Sequence, residues 1–97
     1  MSTRSGLGFD LDRAWELHPS VAVRPERFGA LLYHFGTRRL SFLKTPALLD
    51  AVTKLATEPS ARAALTAAGV SAPETAAYEK ALAGLAASDM IRERVAA

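Results

Sequence analysis

The stretch His18–Leu43, HPSVAVRPERFGALLYHFGTRRLSFL, decides the fold. It holds three short runs, Val21–Arg24, Gly29–Phe35 and Arg38–Leu43, bounded by the turn signals Arg24-Pro25-Glu26-Arg27 and Phe35-Gly36-Thr37-Arg38. Glycine at the first central position of the second turn suits a two-residue type II′ hairpin. That hairpin sets Phe35 opposite Arg38, Tyr33 opposite Leu40 and Leu31 opposite Phe42. The other face then carries His34 with Arg39 and Leu32 with Ser41. One face is mostly apolar and one mostly polar, which predicts a three-stranded antiparallel sheet covered on its apolar side.

Beyond Lys44 the pattern changes from alternation to helical periodicity. Thr45-Pro46 reads as an N-cap and first helical residue, and Leu48, Val52 and Leu55 follow as a buried stripe. Glu58-Pro59-Ser60 ends that helix and opens a second, with Ala61, Ala64, Leu65 and Ala68 inward and Gly69 as its C′ residue. Ser71-Ala72-Pro73-Glu74 has the spacing of a capping box and starts the third and longest helix, whose core stripe is Tyr78, Leu82 and Leu85. Residues 89–95 fit a helical extension, a returning strand or a frayed end equally well. On the other side of the sheet, Asp10–Leu17 predicts one or two helical turns stopped by His18-Pro19, with Trp15 anchoring one end of the core. Residues 1–8 are small, polar and glycine-containing and are expected to be flexible. Residues 9–97 then form a single α+β domain: a three-stranded antiparallel sheet followed by three helices, winged-helix-like in outline.

Ninety-seven residues with 49% hydrophobic and 23% charged content make one globular domain. No apolar run approaches the roughly 20 residues of a membrane span, and the N-terminus lacks the apolar region of a secretory signal. Without cysteine there is no disulfide, thiolate metal site or cysteine nucleophile, which fits a cytoplasmic protein. Net charge is +2, but Arg24, Arg27, Arg38, Arg39 and Lys44 cluster around the sheet against Glu26 alone. This bias either solvates the sheet edges or attracts an acidic partner.

Catalytic chemistry finds no foothold. His18 and His34 read as too few and too far apart for a metal, and His34 as a sheet-surface residue. No phosphate loop and no serine–histidine–acid pattern is present, so an enzyme is not expected. A winged-helix DNA-binding regulator is the alternative, but the second helix offers Arg62 and little else, and the third balances Lys80 against Glu74 and Glu79. A near-neutral helical half is a poor phosphate binder. Neither a nucleic-acid nor a membrane partner is expected.

What remains is an open sheet edge. Ala77, Ala81, Gly84 and Ser88 form a stripe of small residues on the third helix, which lets another backbone approach. If the last strand and this helix flank one cleft, an extended segment can add there as a fourth strand. The same edge leaves pairing with a second copy open.

The run His18-Pro19-x-Val21-x-Val23-Arg24-Pro25-Glu26-x-Phe28-Gly29, with Leu32-Tyr33 and Arg38-Arg39-Leu40 after it, resembles the PqqD-like family. These are the peptide-recognition domains (RiPP recognition elements) of ribosomally made, post-translationally modified peptide pathways. The longer match RFGALLYHFGTRRLSFLKTPALL resembles the mycofactocin branch of that family. The resemblance implies a non-catalytic chaperone without a cofactor of its own, which holds a precursor leader while a radical S-adenosylmethionine enzyme (a radical SAM maturase) modifies the other end. It also implies leader binding along the third strand against the third helix. On this chain those positions are Arg38, Arg39, Leu40, Ser41, Phe42 and Leu43 on the strand, with the Ala77–Leu85 region of the helix. Within that region the stripe points to Ala77, Ala81 and Gly84, flanked by Tyr78, Leu82 and Leu85. For the enzyme, the first two helices and the loop Arg24–Phe28 are candidate docking surfaces.

Overall fold

The computed structural model describes residues 9–94; the flexibility expected of residues 1–8 and the fate of residues 95–97 lie outside that range. Strands β1 (Trp15–Leu17), β2 (Val21–Pro25), β3 (Ala30–His34) and β4 (Leu40–Leu43) precede helices α1 (Pro46–Lys54), α2 (Ala61–Ala67) and α3 (Thr75–Ala87), and β5 (Ile91–Glu93) closes the order. The expected antiparallel sheet is present as β2-β3-β4, and β1 and β5 form a second, two-stranded sheet.

The predicted register of β3 on β4 holds: Tyr33 faces Leu40, Leu32 faces Ser41 and Leu31 faces Phe42. The turn that makes it is different. Arg38, not Gly36, takes the left-handed conformation, at φ 64°. The His34 carbonyl accepts from Arg38 N–H at 2.7 Å and His34 N–H donates to the Arg39 carbonyl at 2.9 Å, so the loop spans residues 35–38. His34 Nδ1 holds the loop from inside by accepting the Gly36 and Thr37 N–H groups at 3.0 and 3.1 Å. A Cβ on Gly36 would sit 2.9 Å from His34 Cε1, so this glycine answers to the imidazole rather than to a positive φ.

The covered face is the opposite of the one expected. Ala30, Leu32 and His34 point inward from β3 and are buried, as is Leu43 on β4. The apolar set Leu31, Tyr33, Phe35, Leu40 and Phe42 points outward, with Phe35, Leu40 and Phe42 exposed. Two physical reasons account for this. Gly29 has no Cβ, and one placed there would meet the Leu43 carbonyl oxygen at 2.0 Å, so β3 and the end of β4 approach too closely for any other residue. The chain then turns at Thr45, and the helices return over the Leu43 side, bringing Leu48, Val52, Leu55, Leu65, Leu82 and Leu85 into one cluster with Leu32. Burying a histidine on this face is tolerable because its Nδ1 is doubly hydrogen-bonded.

The helix boundaries follow the sequence. Thr45 Oγ1 accepts from Leu48 N–H and caps α1, and Ser60 caps α2 by accepting from Ala63 N–H. Gly69, at φ 85°, ends α2. The Glu74 carboxylate accepts both Ser71 N–H and Ser71 Oγ–H, at 3.1 and 2.9 Å, which holds its pKa below the ordinary carboxylate value. A short 3-10 turn at Ala72–Glu74 leads into α3.

Asp10–Leu17 is not helical. Asp10 makes a turn, accepting Asp12 N–H on Oδ1 and Arg13 N–H on its carbonyl. The Leu11 and Arg13 carbonyls accept the Arg62 and Ala61 N–H groups at the start of α2, so this segment serves as part of that helix's cap. Trp15–Leu17 then pairs with Ile91–Glu93, which resolves the returning segment as a strand. Trp15 does anchor the core as expected, 5% exposed, with its indole N–H donating to the Asp10 carbonyl and Phe9 stacked 4.8 Å away.

Candidate peptide-binding site

In an antiparallel pair, alternate residues of each strand bond inward and the others turn their N–H and C=O away. Because His34 bonds Arg39, the residues of β4 that bond β3 are the odd-numbered ones. Leu40 and Phe42 therefore present their backbone groups to the open edge. β4 is a terminal strand of its sheet, so nothing among the described residues pairs with that edge.

Beside the edge runs a groove of about 400 Å³ between β4 and α3, lined by Ser41, Phe42, Lys44, Thr45, Leu48, Ala77, Tyr78, Ala81, Gly84 and Leu85. The structure thus brings together Ser41 and Phe42 with Ala77, Tyr78, Ala81, Gly84 and Leu85. Leu43 and Leu82 lie at 0% exposure beneath the groove and shape it without reaching its surface. Arg38, Arg39 and Leu40 are exposed at the hairpin end and do not line it. Gly84 leaves the wall smooth, since a Cβ there would meet nothing within 4 Å.

Sequence reasoning missed Thr45 and Leu48 and read Lys44 only as part of the basic cluster, not as groove lining. Thr45 was legible as an N-cap, and the cap places its hydroxyl at the groove mouth, 3.1 Å from Tyr78 Oη. That hydrogen bond ties the start of α1 to α3 and sets the groove's width at one end. Lys44, exposed, adds a cation at the end of β4 away from Arg38 and Arg39, and residues 38–45 contain no carboxylate.

The two histidines, expected to be far apart, meet. Their ring centroids lie 4.4 Å apart, and Nε2 of His18 and His34 stand 4.0 and 3.8 Å from Asp89 Oδ2. His34 is also buried rather than on the surface, and its Nε2 has no hydrogen-bond partner. The donor set nevertheless does not suit a metal. His18 Nδ1 accepts Ser20 N–H, and His34 Nδ1 accepts two backbone N–H groups. An accepting Nδ1 leaves the ring proton on Nε2, whereas a metal bound at Nε2 needs that lone pair and a proton on Nδ1. The trio instead joins three chain reversals: the β1–β2 corner, the β3–β4 hairpin and the α3–β5 corner, where Asp89 adopts φ 65°.

At the start of α2, Arg62 donates to Asp12 at 2.7 Å, and that hydrogen bond holds the Asp12 carboxyl below its ordinary value. No helix among the described residues is long and apolar enough to cross a membrane.

The described residues form a small α+β domain with an open strand edge beside an apolar groove. Comparison with known proteins gives the class its particular form. The chain belongs to the peptide chaperone MftB family, whose model matches residues 14–92. It is 59% identical over 88 residues to a peptide chaperone MftB of Mycobacterium ulcerans (strain Agy99), covering 90% of this chain and 81% of that one. It is 57% identical over 85 residues to the protein of that name from Mycolicibacterium smegmatis, covering 88% and 83% of the two chains. With the Mycobacterium tuberculosis H37Rv protein of that name the identity is 56% over 86 residues, covering 89% and 79%. No solved structure matches the chain. A peptide chaperone is a non-catalytic role, and the protein is not an enzyme.

Proposed function

We propose that this protein is a peptide chaperone of mycofactocin biosynthesis that binds the leader of a ribosomally made precursor and presents it to a radical S-adenosylmethionine maturase. The observation that carries the reading is the coincidence of an open β4 edge with the groove against α3. The leader adds as a strand along β4 and bonds the outward backbone of Leu40 and Phe42. Side chains of the leader opposite Ser41 and Leu43 enter the groove beside Ala77, Ala81 and Gly84; the intervening ones lie on the outer face. Arg38, Arg39 and Lys44 attract acidic leader residues and speed encounter. Holding one end of the precursor keeps its modified end in a small volume near the enzyme, which raises the local concentration.

Calorimetric titration with the full precursor and with a leader-truncated form tests this directly. Saturable binding of the first and none of the second is the expected result; equal binding of both would remove the leader from the account. Gly84→Trp and Ala81→Trp locate the site. Gly84 faces open space, so its substitution fills the groove without disturbing the core, and leader affinity falls by at least about tenfold. A folded Gly84→Trp protein that binds normally moves the leader elsewhere.

A further inference from the structure

The outer side of β4 belongs to a second surface, which shares Phe42 with the groove. Phe28, Phe35, Leu40 and Phe42 are 40%, 64%, 56% and 59% exposed. They are contiguous with Leu31 and Tyr33: Phe28 and Phe42 stand 6.0 Å apart, and Tyr33 meets Phe35 edge-on at 4.8 Å. Isolated exposed apolar residues are ordinary, but a contiguous aromatic patch on a flat sheet marks an interaction surface, because aromatics supply most of the anchoring contacts at interfaces.

Charge on the same surface says what covers it. Arg24 stands opposite Leu31 and so projects on the outer side, and Arg27 and Arg38 are exposed at the two turns that bound the patch. The one carboxylate in residues 21–44, Glu26, is already paired with Arg24 at 2.9 Å. A second copy of this chain would bring the same cations against these. A partner with an apolar centre and a rim of carboxylates is complementary.

We propose that the outer face of the β2-β3-β4 sheet docks the radical S-adenosylmethionine maturase, through an apolar patch on that enzyme rimmed by acidic residues. The identity of the partner rests on the function proposed above; the surface rests on the exposed aromatics and their basic rim. The arrangement has a further consequence. A peptide strand added to β4 places alternate side chains beside Leu40 and Phe42, so the enzyme meets a face built partly of chaperone and partly of peptide. The occupied chaperone then binds the enzyme more tightly than the empty one, and by linkage the enzyme tightens the peptide by the same factor.

The test measures the two binding events separately, with the recombinant mycofactocin radical S-adenosylmethionine enzyme and the precursor peptide as probes. Phe35→Asp changes an exposed side chain on the aromatic face, away from the groove. It is expected to weaken enzyme binding by at least about tenfold while peptide affinity stays within about twofold and circular dichroism is unchanged. Arg24→Glu with Arg27→Glu is expected to weaken enzyme binding and reduce its salt dependence. Thr53→Asp and Thr66→Asp, exposed on α1 and α2, are expected to leave it intact. Normal enzyme binding by the Phe35→Asp protein overturns the assignment, as does loss through the helical pair. A wild-type dimer that Phe35→Asp dissociates, with enzyme binding unchanged, assigns the face to self-association and overturns it equally. If the wild-type protein takes no peptide, the function proposed above fails, and the enzyme arm still decides whether this face docks.

Discussion

The two faces of the β2-β3-β4 sheet are made by the same strands and the same register, yet one is interior and the other surface. The inner face is the less apolar by composition: Ala30, Leu32, His34, Ser41 and Leu43 against Leu31, Tyr33, Phe35, Leu40 and Phe42. Hydrophobicity of a strand face is therefore not what determined burial here. The close approach at Gly29 and the capped turn at Thr45 determined which side the helices return to, and the helices carried most of the core. The outer face kept its aromatics without a cover, which is why it reads as a surface for another molecule.

Substitutions that exchange the roles of the faces would break this comparison, and the largest effect belongs inside. Leu32, fully buried, should cost about 2–5 kcal/mol as Leu32→Ala, whereas Leu40→Ala should change stability by no more than about 0.5 kcal/mol. Equal effects in urea denaturation would mean that the outer face is covered in solution. Next comes Gly29→Ala, whose Cβ meets a backbone oxygen that no side-chain rotation can move; a loss of about 1–3 kcal/mol is expected. A neutral Gly29→Ala protein would show that the join between β3 and β4 is looser than the structure has it.

Thr45→Ala removes the α1 cap and should cost about 1 kcal/mol, visible as a lowered urea midpoint. Tyr78→Phe removes only the hydrogen bond across the groove mouth; it sharpens the distinction between holding the helix and holding the groove. Leader affinity should fall in both variants and stability chiefly in the first. The smallest effect lies outside both faces. Asp12 and Glu74 titrate below their ordinary values of 3.8 and 4.5 because they accept hydrogen bonds in the folded protein. Their contribution is full above those ordinary values and is lost as pH falls through the lowered ones. Both groups are solvent-exposed, so Asp12→Asn should flatten the acid limb of a stability–pH curve slightly and leave neutral pH nearly unchanged.

Local chemistry was legible in the sequence. Thr45-Pro46, Ser60, Gly69 and Ser71–Glu74 mark helix ends through contacts within a few residues, and the β3–β4 register follows from the position of the hairpin at Gly36-Thr37, although the turn is of another type. Three features were not legible, each for the same reason: the deciding partner is distant in sequence. Trp15–Leu17 is a strand only because Ile91–Glu93 lies beside it. His18 and His34 meet only because two corners of the fold coincide with a third at Asp89. The choice of sheet face depends on where helices return, which binary pattern does not encode. For the candidate groove, the small-residue stripe of α3 was visible as a periodicity, but Lys44, Thr45 and Leu48 reach it through the turn after β4, and only the folded chain brings them there.

The β1–β5 ribbon has a mechanical consequence. Trp15 stands opposite Glu93 in an antiparallel pair, so β1 begins and β5 ends at the same end of the ribbon. Tension applied through those two points would peel the ribbon bond by bond instead of shearing its bonds together. Arg94, which grips the Trp15, Ala56 and Glu58 carbonyls, then Arg13–Glu93 and then Glu16–Arg92 are the clasps it would meet in turn. For a pull applied at those two points, the ribbon and its clasps give way before the core around Leu32 is loaded.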